Sequence, residues 1–147
     1  LIVRSMNIFG PYQHPEKLIA TVITKALKNE PFTIYKGGTI RGWIFVEDSC
    51  EGIDVVRRLG KTGGTYHLPA KVYKSIPEVT KDILKKMGQE KIFLGEKGHR
   101  LKDDMRYALD GTKVTYELNW TPRTSWDEGI ERTIKWYREN PWFWKEN

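Results

Sequence analysis

Hydrophobic positions along this chain switch between a period of two and a period near 3.6. A short β-rich run, "LIVRSMNIF", predicts a mostly buried strand that ends at Gly10-Pro11. Leu18, Ile19, Val22, Ile23, Ala26 and Leu27 then recur at helical spacing and predict an amphipathic helix that stops before Pro31. Pro15 suits the first turn of that helix, where Glu16 would meet its positive end. Residues 32–35 read as a short strand, 36–38 as a turn and 41–46 as another strand. Glu47, Asp48 and Ser49 offer caps for a following helix of about ten residues. Residues 60–64 read as a loop, and 65–68 as a strand of fully buried type.

Further along, Ile76, Val79, Ile83, Leu84 and Met87 predict a second amphipathic helix, closed by Gly88. Residues 91–94 read as a strand, 95–104 as a polar loop, 106–110 as a short strand and 111–119 as a short helix. Thr124 or Ser125 would cap a last helix from Trp126, with Asp127 and Glu128 in its first turn and Ile130, Ile134 and Tyr137 on one face. The aromatic tail, residues 140–147, is expected to pack back on the domain or on a partner. Strands and helices alternate without an internal repeat, so the class is α/β or α+β.

Composition narrows the chemistry. With 147 residues, 39% of them hydrophobic, the chain has the length and the apolar content of one domain with a real core. Its 25 basic and 19 acidic residues leave a net charge of +6, which favours anionic partners. The basic residues are dispersed, never more than two in a row, which argues against a nucleic-acid surface. The lone Cys50 excludes an internal disulfide and a cysteine-rich zinc site, and it reads as a buried structural thiol. His14, His67 and His99 are too scattered for a zinc motif. Gly-x-Ser-x-Gly, a Walker A loop and G-x-G-x-x-G are all absent. No apolar run approaches the roughly 20 residues of a membrane span, and the N-terminus lacks the layout of a signal peptide. The chain reads as cytosolic and soluble. It opens inside an apolar run without Met, as a fragment of a longer protein would.

Anion recognition remains. Lys17 is expected in a first helical turn, where free backbone N–H groups favour phosphate or carboxylate. Arg41 directly precedes a strand and Arg100 lies in a glycine-containing loop, placements suited to bidentate phosphate contact. Each alone reads first as a solvated surface charge; only convergence in space makes a site.

Five stretches carry a resemblance: "RSMNIFGPYQHPEKLI", "YKGGTIRGWIFVEDSCEGID", "GGTYHL", "RLKDDMRYALDGTK" and "ELNWTPRTSWDEGIERTIKWYREN". In order and spacing they resemble the C-terminal half of the dTDP-glucose 4,6-dehydratase family, extended short-chain dehydrogenase/reductases that act on nucleotide sugars. The resemblance implies an α/β fold, the C-terminal portion of a Rossmann-type enzyme with its mixed α/β substrate-binding domain. Residues 1–13 and 43–68 would be the last strands and helix of the nucleotide-binding fold, interleaved with a substrate-binding part at 14–42 and 69–147. It further implies a lyase that oxidises the sugar at C4, eliminates water across C5–C6 and returns the hydride to C6. The cofactor NAD would be held mainly by an absent N-terminal half, which also carries the acid/base Asp-Glu pair and the Tyr-x-x-x-Lys pair. No catalytic residue is then expected in this chain. The implied partner is a nucleotide diphosphate sugar, and the intact enzyme is expected to be a cytoplasmic homodimer.

By matching positions, Asn7 resembles the asparagine that contacts the sugar diphosphate. Glu16, Lys17 and Leu18 resemble the helix start that lines the nucleotide site, Thr33 and Tyr35 the segment beside the base, and Arg41 the arginine that grips the diphosphate. Arg100 matches the arginine of an "RPGHD" loop, and Ser75 stands where an asparagine is expected. Ile8 replaces a second asparagine near the cofactor. Gly42 replaces an aspartate, Pro69-Ala70-Lys71 replace Gly-Gly-Asn, and Arg100-Leu101-Lys102-Asp103-Asp104 replace Arg-Pro-Gly-His-Asp. These departures gather at nucleotide and sugar contacts and leave base and sugar open. Portions of a nucleotide-sugar 4-epimerase or a UDP-glucuronate decarboxylase, and a non-catalytic sugar-nucleotide module, stay open too. A nucleic-acid binder is the least favoured reading.

Overall fold

The opening apolar run forms two strands rather than one. In the computed structural model, which describes residues 1–36, 40–99 and 106–145, the run breaks at Met6 into β1 (Ile2–Ser5) and β2 (Asn7–Phe9). Each half has its own partner. β1 runs parallel to β5 (Thr65–Leu68), and β2 runs parallel to β4 (Ile40–Phe45). Met6 is buried at the switch, with its N–H directed at Leu68 O, 3.4 Å away.

The predicted first helix is α1 (Leu18–Lys28), and its buried face holds Ile19, Ala20, Val22, Ile23 and Ala26. Asn29 ends it in the left-handed region, φ 54°. Pro15 and Glu16 fall in a turn before the helix, and Lys17 is its N-cap rather than a first-turn residue. β3 (Phe32–Lys36) pairs in parallel with β7 (Phe93–His99), which takes in the first five residues expected to form a polar loop. Pairing with β3 overrides their polar character, and two register shifts accompany Gly95 and Gly98 at positive φ.

The second helix, α2 (Val46–Leu59), follows β4 without a linker and is 14 residues long. Glu47 and Asp48 sit in its first turn instead of capping it. Helical periodicity turns Ser49, Gly52, Val55 and Val56 inward and leaves Cys50 exposed, so the expected buried thiol is a surface one. In β5 only Tyr66 and Leu68 are buried, which makes it a half-buried strand and not the fully buried one expected. The sequence pattern gave no sign of β6 (Val72–Ser75), which lies antiparallel to β4. β8 (Arg106–Tyr107) pairs with β4 in parallel, at Ile40 and Arg41. Because β6 occupies one edge of those residues, β8 takes the other, next to β2. The remaining helices are α3 (Ile76–Met87), α4 (Thr112–Leu118), α5 (Trp126–Glu139) and the short α6 (Trp142–Lys145), which packs the aromatic tail back through buried Trp144.

Two hydrophobic cores share one strand. Trp43 and Phe45 of β4 belong to a core with Phe9 of β2 and Ile19, Ile23, Val79, Ile83, Trp126, Ile130 and Tyr137, contributed by α1, α3 and α5. Ile44, on the opposite face, belongs to a second core with Met6, Val55, Val56, Tyr66, Leu68, Val114 and Trp120. The alternation follows from the two-residue period of a strand. Each fully buried aliphatic side chain contributes about 1.5–3 kcal/mol as an upper figure.

Two local devices set the ends of elements. Gly10 has φ 148°, and a Cβ there would lie 2.4 Å from Val46 Cγ1, so the turn after β2 packs directly on the start of α2. Ser75 begins α3 with a reciprocal box: Glu78 N–H donates to Ser75 Oγ at 3.4 Å, and Ser75 N–H donates to Glu78 Oε2 at 2.6 Å. The Ser75 hydroxyl and backbone bonds hold the Glu78 carboxyl below its usual 4.5.

Gly10→Ala is expected to destabilise the fold by on the order of 2 kcal/mol, through clash and backbone strain, read as a lowered denaturant midpoint. Ser75→Ala is expected to cost about 1 kcal/mol at neutral pH. The folded-state pKa of Glu78 is depressed, so its stabilising bond is present above 4.5 and lost as pH falls through the lower folded value. The stability gap between wild type and Ser75→Ala should therefore shrink on acidification, and a gap independent of pH would refute the box as its source.

Candidate functional site

The chain leaves β2 through Gly10-Pro11 and reaches α1 only at Leu18. In front of this loop lies a cleft of about 1010 Å³. Its walls come from β2, residues 10–14, 16 and 17, the start of α1, β3, Arg41 and Trp43 of β4, and Ile76. Eight positions singled out from sequence line it together: Asn7, Ile8, Glu16, Lys17, Leu18, Thr33, Tyr35 and Arg41. Ser75 is not among the lining residues, and its hydroxyl is engaged with Glu78 at 2.7 Å, although Ile76 beside it does line the cleft. Arg100 lies outside the described residues. Sequence reasoning gave no role to Tyr12, Gln13, His14 or Trp43, which line the cleft as well. The first three sit between Gly10 and Pro15, where two turn-forming residues only five apart are the available signal.

Side chains hold the loop. Asn7 Nδ2 donates to Gly42 O at 3.2 Å and ties the end of β2 to β4. Gln13 Nε2 donates to Ile8 O at 2.7 Å, and Thr21 Oγ1 donates to Pro15 O at 2.7 Å. The Tyr137 hydroxyl donates to Gln13 O from α5. Tyr12 takes the left-handed conformation, φ 62°, with its ring 4.6 Å from that of Trp136 and 5.8 Å from that of Phe143.

The electrostatics of α1 differ from those of the other long helices. α3 and α5 carry Ser75 and Ser125 as side-chain caps, and α2 has Glu47 and Asp48 in its first turn. α1 has neither a side-chain cap bond nor an acidic residue in its first turn. Among the described residues its N-terminal N–H groups and positive dipole end thus meet no side-chain cap and no first-turn carboxylate; Glu16, just before the N-cap, and Lys17, Leu18 and Thr21 at that end line the cleft. Arg41 adds a guanidinium to the same wall. His14 Nδ1 and Glu16 Oε2, 3.8 Å apart, are exposed at the loop. Such a cleft can receive an anion against N–H donors and two cations, with aromatic and apolar surface from Tyr12, Tyr35 and Trp43 beside it. Among the described residues no group of three or more His, Cys, Asp or Glu is placed to hold a metal, and no helix is long and apolar enough to cross a membrane.

The Gly42 position has no room for a side chain. A Cβ there would lie 2.6 Å from Ala70 Cβ and 2.6 Å from Met6 Cε. The aspartate of the resembled pattern is thus incompatible with Ala70 as it stands.

Known proteins align with this chain along nearly all of its length. The sequence model of the GDP-mannose 4,6 dehydratase family matches residues 1–133. A low-salt glycan biosynthesis protein of Haloferax volcanii is 41% identical over 138 residues, 93% of this chain and 44% of that protein. A dTDP-glucose 4,6-dehydratase of Streptomyces niveus is 34% identical over 146 residues, 99% of this chain and 44% of the relative. The chain thus spans less than half the length of these relatives. Among solved structures, the NAD-bound dTDP-glucose 4,6-dehydratase of Streptomyces venezuelae superposes with a TM-score of 0.93 at 36% identity, over 99% of this chain and 45% of that one. A UDP-glucose 4-epimerase of Thermotoga maritima, 23% identical, shares the fold with a TM-score of 0.87 over 95% of this chain and 46% of its own. The fold is that of the extended short-chain dehydrogenases, Rossmann-type α/β with parallel pairings. Agreement in sequence and in fold from the first residue to α5 makes this chain a member of the GDP-mannose 4,6 dehydratase family, with dTDP-glucose 4,6-dehydratases among its relatives.

Proposed function

We propose that the cleft binds a nucleotide diphosphate sugar and that these 147 residues are the substrate-binding portion of a dTDP-glucose 4,6-dehydratase-like enzyme in the cytoplasm. The observation that carries this reading is the start of α1, which has no side-chain cap and no acid in its first turn and opens with Lys17 on the same cleft as Arg41. A diphosphate supplies the missing anion. In this reading Asn7, Lys17 and Arg41 meet the diphosphate, and Glu16, Leu18, Thr33 and Tyr35 line the nucleotide. Ser75 and Arg100 belong to the same candidate set, Ser75 beside Ile76 at the cleft.

The intact enzyme would oxidise the sugar at C4, eliminate water across C5–C6 and restore the hydride at C6. NAD supplies the hydride chemistry when bound, and this chain fits it poorly as a main site. It has no G-x-G-x-x-G loop. The Ile8 side chain offers apolar surface only, and its carbonyl already accepts from Gln13. Residues 1–13 and 43–68 would then complete a nucleotide-binding fold supplied mainly by other residues, with 14–42 and 69–147 as the substrate part. Ile2 on β1 and Ile53 and Leu59 on α2 are exposed apolar side chains that such a portion would cover.

Calorimetry of the chain with dTDP-glucose, UDP-glucose and RNA tests the proposal. Saturable binding of a nucleotide sugar is expected, and binding of RNA alone would overturn it. Arg41→Ala should weaken nucleotide-sugar binding by about 2–4 kcal/mol, the range for truncating one partner of a buried charged pair. Unchanged affinity would remove Arg41 from the diphosphate site.

A further inference from the structure

Tyr137 lies fully buried in α5 and does not line the cleft, yet its hydroxyl reaches back 124 residues to the carbonyl of Gln13, which does. We propose that Tyr137 is a positioning residue for the cleft: its hydrogen bond fixes the Gly10–Lys17 loop in the geometry that receives the ligand.

The loop has little means of holding that geometry alone. Its backbone bonds are a long one from Gln13 N to Gly10 O, 3.4 Å, and one from Lys17 N to His14 O, 3.0 Å. Thr21 Oγ1 adds a bond to Pro15 O at the α1 end and Glu16 N–H one to His14 Nδ1, and Gln13 makes the two that reach β2 and α5. Its side chain donates to Ile8 O on β2, and its carbonyl accepts from Tyr137, so a single residue ties the loop to the sheet on one side and to α5 on the other. Shift the Gln13 carbonyl and both Ile8 and the approach to Lys17 shift with it.

Tyr137 is a firm anchor for that purpose. Its own carbonyl accepts the indole N–H of Trp144 at 2.9 Å, so α6 locks the end of α5. Its ring packs edge-on against Trp136, 5.1 Å between centroids. Burial raises the pKa of its phenol far above neutrality, which keeps the group a donor at every working pH. A second strut runs alongside. Tyr12, next to Gln13, holds a left-handed backbone conformation that an isolated non-glycine residue disfavours, and its ring rests on Trp136 and Phe143. The α5–α6 aromatics therefore grip the loop at two consecutive residues while standing outside the cleft. A hydroxyl that merely satisfied itself in the core would have no such effect on the loop.

Tyr137→Phe keeps the ring and removes only the donor. Ile134→Val, one turn earlier in the same core, trims a buried methyl group and makes no hydrogen bond to the loop. Hydrogen exchange of the loop amides between residues 12 and 17 is read in both variants, together with thermal midpoints. Tyr137→Phe is expected to speed loop exchange by about tenfold without matching acceleration in α1 or α3, whereas Ile134→Val lowers the midpoint and leaves loop exchange as in wild type. The affinity arm rests on the nucleotide-sugar reading: calorimetry with dTDP-glucose or UDP-glucose should show Tyr137→Phe binding about five- to tenfold more weakly and Ile134→Val binding as wild type. Wild-type loop exchange in Tyr137→Phe, equal loop acceleration in both variants, or unchanged affinity of Tyr137→Phe for a sugar nucleotide that wild type binds would each overturn the proposal. If wild type binds neither sugar nucleotide, the nucleotide-sugar reading fails on its own, and the exchange comparison still decides the clamp.

Discussion

Everything in this fold leans on the central stretch of β4. Residues 42–45 are buried on both faces, so this stretch has no solvent side. Trp43 and Phe45 are packed by three helices, and Ile44 by the β5–α2–α4 layer. Its edges are equally committed, to β2 and β8 on one side and β6 on the other. A strand so enclosed transmits position well. Arg41 at its start and Asn7 on its neighbour are held by the same pairing, through Asn7 Nδ2 and the Gly42 carbonyl. The cleft inherits its rigidity from there.

The cleft's other wall is built on the opposite principle. A helix end normally satisfies its first N–H groups by a side-chain cap, as Ser75 and Ser125 do here. α1 forgoes that bond and has no acidic residue in its first turn, while Lys17 and Arg41 line the cleft in front of it. In stability terms this is a loss of about 1 kcal/mol relative to a capped helix. Donors left without a side-chain cap at that end are what the proposed anion reading rests on.

Much of this was legible in the sequence. The apolar spacing of α1, α3 and α5, the Gly88 stop and the Ser125 cap follow from local rules. The eight singled-out positions that line the cleft were picked out by the family resemblance and not by spacing. What escaped was decided at long range. The break at Met6 exists because two partner strands compete for one apolar run. β6 is visible only once β4 is there to pair with it, and β7 extends through polar residues because β3 lies beside it. Cys50 was misplaced because its burial depends on which face of α2 meets the second core. The Tyr137–Gln13 contact joins residues at opposite ends of the chain, and no local pattern announces it.

The tight packing at Gly42 carries an evolutionary consequence. Of the two nearest atoms that would crowd a side chain there, Met6 Cε ends a flexible chain and can swing away, whereas the Ala70 methyl is fixed to its backbone. The two positions are therefore epistatic. A lineage moving from this arrangement toward an aspartate must first shorten Ala70 to glycine, and one moving the other way must lose the aspartate before the methyl arrives. Taken in the wrong order, either path passes through a chain whose most enclosed strand is forced apart. Glycine and alanine at these positions act as one packing unit.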